Sequence, residues 1–319
     1  MARERGKYAE LIDEETWAFI ERTEAAYPAD STSLTIDQQR HFYNALCASF
    51  HADHPAGVTS QDSAIEASGR TVPLRRYELA GSSPGPVLVY YHGGGYVMGG
   101  LESHDDICAE ICAGTGYPVV AVDYALAPEN SFPADFEEAV AAFRHVASDA
   151  KGPVIVCGDS AGGNLAAAVA HASREGDLRP AGVVLIYPGL GGDLTRKSFV
   201  DHAEAPMLTT ADTQFYKRIR FGGDEPPLGD PRAMPLEDSD FSGLPPTVIF
   251  AAECDPLQID GPEYEEKIRG AGGRAVTFIE TGLVHGYLRA RHSVARARDS
   301  FKRIVEAVEA LGKREWPYQ

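Results

Sequence analysis

Val154-Ile155-Val156-Cys157-Gly158-Asp159-Ser160-Ala161-Gly162-Gly163-Asn164-Leu165-Ala166-Ala167-Ala168-Val169-Ala170 is the stretch whose reading decides the fold. An apolar run stops at Gly158 and a helix-favouring run begins after Gly162. Small residues two before and two after Ser160 let a strand reverse sharply into a helix and lift the hydroxyl clear of the backbone, which makes Ser160 a candidate nucleophile. The N-terminus of the following helix places positive dipole charge beneath the reacting atoms. The pattern Gly-x-Ser-x-Gly is weak by itself, because a chain with 32 glycines in 319 residues produces it by chance in roughly one sequence of five. Gly81-Ser82-Ser83-Pro84-Gly85 also fits, but it precedes a strand and its Ser-Pro pair reads as a turn, so Ser83 is set aside.

On either side of that turn, strands and helices alternate. Apolar, β-branched runs recur at 86–91, 118–122, 153–157, 183–187, 247–251 and 276–279, and helical stretches at 134–147, 163–173, 261–270 and 300–311 lie between or after them. The expected fold class is α/β: a mostly parallel central sheet of about eight strands flanked by helices on both faces. Residues 63–79 alternate polar and apolar and read as antiparallel strands at the sheet edge. Residues 7–26 and 35–50 read as amphipathic helices without strand partners, and a second helical region lies between Gly192 and Pro245. Residues 51–191 and 241–319 are expected to form the sheet domain, with 1–50 and 192–240 packed together as a helical cap over the C-terminal edge of the sheet.

A formal charge of -18 and a pI near 4.9 argue against nucleic acid or an anionic membrane surface as a partner. The local exception, Arg289, Arg291, Arg296, Arg298, Lys302 and Arg303, reads as the solvated face of a C-terminal helix. Cys47, Cys108, Cys112, Cys157 and Cys254 show no zinc-site spacing, and the opening residues have no apolar leader, so reduced thiols in a cytoplasm are expected. Cys108 and Cys112, four apart on a helix, read as core. No run of about 18 apolar residues predicts a membrane span.

A serine needs a base to take its proton and a carboxylate to fix the tautomer of that base. In a sheet of this kind the expected chain order is serine, acid, histidine. His285, in Gly282-Leu283-Val284-His285-Gly286-Tyr287 just beyond the last strand, is the candidate base; His171 lies within the helix after the serine, and His292 in the arginine-rich stretch. Asp255, at the exit of the strand 247–251, is the candidate acid, with Glu253 as a supporting residue and Asp260 as a helix N-cap. His92-Gly93-Gly94-Gly95-Tyr96 follows a strand directly, and its glycines let backbone N–H groups converge on an oxyanion. Gly93, Gly94 and the amide of Ala161 are the expected donors, supported from behind by His92 and Asp159. No Gly-Lys-Ser/Thr follows these glycines, so nothing here reads as a phosphate loop.

These blocks resemble the hormone-sensitive-lipase-like esterases of the α/β-hydrolase fold, bacterial family IV, in the subgroup with aspartate before the serine. The likeness runs from about Tyr77 to the C-terminus. His92–Gly95 is similar to the oxyanion loop of that family, Gly158–Gly163 to its nucleophile turn, Asp123-Tyr124-Ala125-Leu126-Ala127-Pro128-Glu129 to its strand-exit segment, Asp230-Pro231-Arg232 to its cap return, Asp255-Pro256-Leu257 to its acid and His285-Gly286-Tyr287 to its base. Two positions depart from the family pattern: Ala125 stands where arginine is usual and Ile259 where an acidic residue is usual. The resemblance implies a serine carboxylesterase that needs no cofactor and no metal, acts on small esters with short to medium acyl chains through an acyl-enzyme, and often dimerises, with the C-terminal sheet edge as the expected contact. The same triad would serve an amidase, a lactonase or an acyltransferase. A non-catalytic small-molecule receptor on this fold would have lost His285, which is intact.

Overall fold

The computed structural model of the chain describes residues 5–27, 31–82, 84–191 and 193–318; Ser83, Gly192 and the four opening residues lie outside them. In chain order, α1 (Glu14–Ala26) and α2 (Ile36–Phe50) precede the hairpin β1 (Val58–Ala67) and β2 (Arg70–Leu79). Then come β3 (Val87–Tyr91), α3 (Asp105–Thr115), β4 (Val119–Val122), α4 (Ala134–Asp149), β5 (Val154–Asp159), α5 (Ala161–Ser173) and β6 (Gly182–Ile186). The short α6 (Lys197–Asp201) and α7 (Thr210–Arg220) interrupt the alternation before β7 (Thr247–Cys254), α8 (Asp260–Gly270), β8 (Ala275–Val284) and α9 (Ala295–Gly312).

The eight strands form one sheet in the order β1-β2-β4-β3-β5-β6-β7-β8, antiparallel at β1/β2 and β2/β4 and parallel elsewhere. Successive residues of a strand point to opposite faces, so a strand covered on both sides must be apolar throughout. Leu88, Tyr90, Ile155, Cys157, Val184 and Ile186 enter one core with Ile107, Cys108 and Ile304. Val87, Val89, Tyr91, Val154, Val156 and Leu185 enter the other with Phe143, Leu165 and Ile268. Burying each such side chain contributes about 1.5–3 kcal/mol. β1 is an edge strand of mostly polar residues and is mostly exposed.

Several expectations need correction. The first long helix begins at Glu14, not Lys7, because the Asp13 carboxylate accepts the Thr16 N–H at 2.9 Å and caps it there. The last begins at Ala295, five residues before Ser300. Asp260 is not a cap: it is fully buried inside the first turn of α8, where its carboxylate accepts the N–H groups of Leu190 and Gly191 and pairs with Arg196. The arginine-rich stretch is only partly a solvated face. Arg296, Arg298, Lys302 and Arg303 are exposed, but Arg291 is buried between Asp106 and Glu110, and Arg289 is half-buried.

Tyr43 and Cys47 of α2 meet Tyr216 and Ile219 of α7 around Val97 and Met98. Arg220, at the end of α7, ties that helix to α4 and to the glycine loop. Its Nε donates to Asp135 Oδ2 at 2.7 Å, both side chains are buried, and the guanidinium lies 3.7 Å over the Tyr96 ring. Asp135→Ala strands this guanidinium in a dry site and should lower unfolding free energy by about 3–5 kcal/mol, measured by urea denaturation; replacing both partners, as in Asp135→Leu with Arg220→Met, should cost less. Equal midpoints for wild type and Asp135→Ala would refute the anchor.

Candidate active site

β5 delivers Asp159, and Ser160 then takes φ 53° and ψ -117°, a conformation that costs a non-glycine residue about 1–3 kcal/mol. The turn is held because the Ser160 N–H donates to the Ile186 carbonyl at 2.8 Å and its own carbonyl accepts the Asn164 N–H, opening α5. A Cβ at Gly162 would run into the Tyr91 carbonyl, so the helix can approach the sheet this closely only with glycine there. The result aims the serine hydroxyl at the loop after β8. Ser160 Oγ lies 2.8 Å from His285 Nε2, and His285 Nδ1 lies 2.7 Å from Asp255 Oδ2. Asp255 is almost fully buried, and its other oxygen accepts the Leu257 N–H at 2.9 Å, which fixes the carboxylate plane. A charged carboxylate can only accept, so His285 carries its proton on Nδ1 and presents Nε2 as the acceptor for the serine proton. The Tyr187 ring packs 4.9 Å from the imidazole.

Supporting contacts surround these groups. Glu253 Oε2 accepts the Gly282 N–H at 2.7 Å, bracing the end of β8 that leads to His285. Ser198 Oγ donates to the Pro256 carbonyl and accepts the Ile259 N–H at 3.2 Å, so α6 steadies the Asp255 turn where the family's acidic residue is missing. Nothing in the sequence around Ser198 marked it. At Ala125, the backbone N–H donates to Glu138 Oε2 at 2.7 Å, and Glu138 pairs with Arg70 at 2.8 Å. Arg70 and Arg220 thus pair with the acidic residues of α4, Glu138 and Asp135, without an arginine at position 125.

Asp159 sits between the serine and the glycine loop. Its Oδ1 accepts the Tyr90 hydroxyl and the Gly93 N–H, each at 2.9 Å, and His104 Nε2 lies 3.2 Å away. Burial pushes this carboxyl up, but His104, Arg289 and the Tyr90 hydrogen bond outweigh that and hold it below the usual carboxylate range. The consequence for the oxyanion donors is a correction: the Gly93 N–H is engaged by Asp159 and cannot face a substrate. Among the described residues the N–H groups of Gly94 and Gly95 have no acceptor, and that of Ala161 is left open at the first turn of α5. Gly94 has φ 130°, and a Cβ there would meet the Met98 carbonyl. Gly95, not among the expected donors, stood one residue further along the same triplet.

The remaining histidines have other partners. His171 bridges Asp238 and Tyr264, at 2.6 and 2.9 Å, and His292 faces Glu110. His92 stacks on Tyr124 with ring centroids 4.4 Å apart, and its Nδ1 donates to the Gly93 carbonyl at 2.8 Å, leaving Nε2 buried with no hydrogen-bond partner among the described residues. Among the described residues no group of three or more His, Cys, Asp or Glu side chains could hold a metal ion.

The family model Abhydrolase_3, described as an alpha/beta hydrolase fold, matches residues 88–289. Carboxylic ester hydrolase LipN of Mycobacterium tuberculosis is 35% identical over 72% of this chain and 65% of its own length, so the chain spans just under two thirds of LipN. Ethyl acetate hydrolase of Pseudomonas putida is 31% identical over 92% of this chain and 96% of its own. Among solved structures, ester-hydrolase EH1AB1 from the metagenome of Lake Arreo, complexed with a derivative of bipyridine phosphonate, superposes with a TM-score of 0.88 at 29% identity, covering 94% and 99% of the two chains.

Burial, with His104 beside it, pushes His92 down to about 4, and burial pushes His171 down to about 4 as well. Both histidines titrate near 6.5 when unfolded, so the stability they confer is fully present above pH 6.5 and is lost as the pH falls from there towards 4. The unfolding free energy from urea denaturation should therefore drop across that window, by up to about 3 kcal/mol per site. His171→Gln should flatten the drop; an unchanged slope would show that these imidazoles are not held neutral.

Proposed function

Because this chain belongs to the Abhydrolase_3 family of the alpha/beta hydrolase fold, we propose that it is a serine carboxylesterase in which Ser160 is the nucleophile, His285 the base and Asp255 the residue that orients it. The observation that carries the reading is the continuous relay from Ser160 Oγ through both nitrogens of His285 to Asp255, at 2.8 and 2.7 Å. Ser160 Oγ attacks the ester carbonyl carbon while its proton passes to Nε2. The carbonyl oxygen, now an oxyanion, turns to the N–H groups of Gly94, Gly95 and Ala161. Collapse of the tetrahedral intermediate breaks the bond to the alcohol oxygen, which leaves with the proton from His285. Water then gives a proton to the same nitrogen and attacks the acyl carbon; collapse breaks the bond to Ser160 Oγ, which takes that proton back, and the acid leaves.

Residues 1–50 and 192–240 form the cap in this reading, supported by the meeting of α2 and α7 above the glycine loop. The substrates are small esters with short to medium acyl chains. The five cysteines, all free and buried, suit a reducing cytoplasm. No described helix is long and apolar enough to cross a membrane. A homodimer would use β8, which ends the sheet and leaves an edge to pair.

Turnover of 4-nitrophenyl esters from acetate to palmitate tests the assignment. Activity should be greatest at the short and medium end, and Ser160→Ala should lose it by roughly 10⁴-fold or more, together with labelling by a fluorophosphonate. Hydrolysis that survives in Ser160→Ala would reject Ser160 as the nucleophile.

A further inference from the structure

Every other buried or half-buried arginine whose contacts are set out above faces a carboxylate: Arg220 faces Asp135, Arg291 faces Asp106 and Glu110, and Arg196 faces Asp260. Arg289 does not. It is half-buried, four residues beyond His285, and among the described residues no carboxylate oxygen lies within 4 Å of it. Its Nη2 donates to the Tyr43 hydroxyl at 2.5 Å and its Nε to Cys47 Sγ at 3.3 Å. Both partners lie on one face of α2 and neither is a carboxylate; burial pushes the Tyr43 hydroxyl further up, away from ionisation. They orient the guanidinium without giving it a carboxylate contact. Nη1 has no hydrogen-bond acceptor among the described residues, and it lies 3.6 Å from where a Cβ on Gly286 would sit, beside the residue that follows the base.

A guanidinium is a fork of five donors that stays charged and matches a carboxylate with two parallel bonds. Leaving one without a direct carboxylate contact in a partly dry site is costly, and this chain has 47 acidic residues from which such a contact could have been made; Asp159, already engaged by Tyr90, Gly93 and His104, acts on Arg289 only from a distance. The surroundings are those of the reaction centre. Tyr43 and Cys47 share a cluster with Met98, whose N–H donates to the Gly94 carbonyl, and with Tyr216, whose ring covers Gly95. The charge of Arg289 is felt at Asp159 and Tyr187, on the two sides of the serine turn.

We propose that Arg289, held by Tyr43 and Cys47 beside the base loop, receives a carboxylate of the substrate, so that the preferred substrates are anionic esters. The assignment rests on the esterase reading above and adds its substrate class. Two matched pairs of substrates separate the acyl side from the alcohol side: monoethyl glutarate against ethyl pentanoate, and 4-acetoxybutanoate against butyl acetate, each followed by pH-stat titration at about 0.15 M salt, where the Debye length is about 8 Å.

In at least one pair the wild-type kcat/KM should favour the anion. Arg289→Gln should lower that anionic-to-neutral ratio by roughly ten- to a hundredfold, the scale of a charge-assisted contact, and Arg289→Lys by less, since the charge remains and the fork is lost. A wild-type protein that favours the neutral ester in both pairs overturns the proposal and needs no variant to do so. A folded Arg289→Gln with unchanged ratios overturns it as well. If none of the four esters turns over, the esterase reading itself has failed.

Discussion

The carboxylate of Asp159 is the point on which the reacting geometry depends. It ends β5, precedes the serine and reaches across to the neighbouring strand exit, accepting the Tyr90 hydroxyl and the Gly93 N–H. An ionised carboxylate buried this deeply is tolerable only with several donors around it. In taking one from Gly93 it pins the glycine loop to the strand that carries the nucleophile. The loop therefore cannot drift from the serine, and its next two N–H groups, at Gly94 and Gly95, are left facing outward. One contact thus sets both the anchoring of the loop and the identity of its free donors.

That division explains what was legible in the sequence and what was not. The sheet could be read because both of its faces are buried: β3, β5 and β6 are buried at every position, and they read as continuous apolar runs up to Gly158 and Asp159 at the exit of β5. Ser160, Asp255 and His285 could be picked out because each follows a strand, and strand exits on one edge of a parallel sheet converge. Which glycine N–H remains free is a different kind of fact. It depends on where a carboxylate from another strand lands, and Gly93, Gly94 and Gly95 are indistinguishable by residue type. Asp260 misled for a similar reason: an acid before a helix reads as a cap, and only the return of residues 190–191 against it shows that it is an internal acceptor.

The arginines carry the same lesson about charge. A run of basic residues near the end of a chain reads as a solvated helix face, and beyond Ala295 that is so. Arg291 escapes the pattern because it lies before the helix begins, in the turn where Asp106 and Glu110 of α3 are within reach. Ala125 is the converse case, a missing cation. Its neighbours in α4 are met from two distant places, Arg70 in the β1/β2 hairpin and Arg220 at the end of α7. The second of these has a mechanical effect, since it holds α7 against Tyr96 and so against the glycine loop.

Arg289 then stands apart from Arg196, Arg220 and Arg291, each of which touches a carboxylate. The chain as a whole is strongly acidic, and at low ionic strength its field repels anions from every side. That field is screened beyond about 8 Å at physiological salt, whereas a contact inside a partly dry site is screened far less. An anionic ester would therefore be hindered on approach and held once seated. Selectivity of this kind is decided at the last few ångströms, by whether the guanidinium finds its second pair of acceptors. The Tyr43 hydroxyl and Cys47 sulfur that position Arg289 suit that purpose better than an acidic residue would, because they fix the direction of the fork without occupying it with a carboxylate.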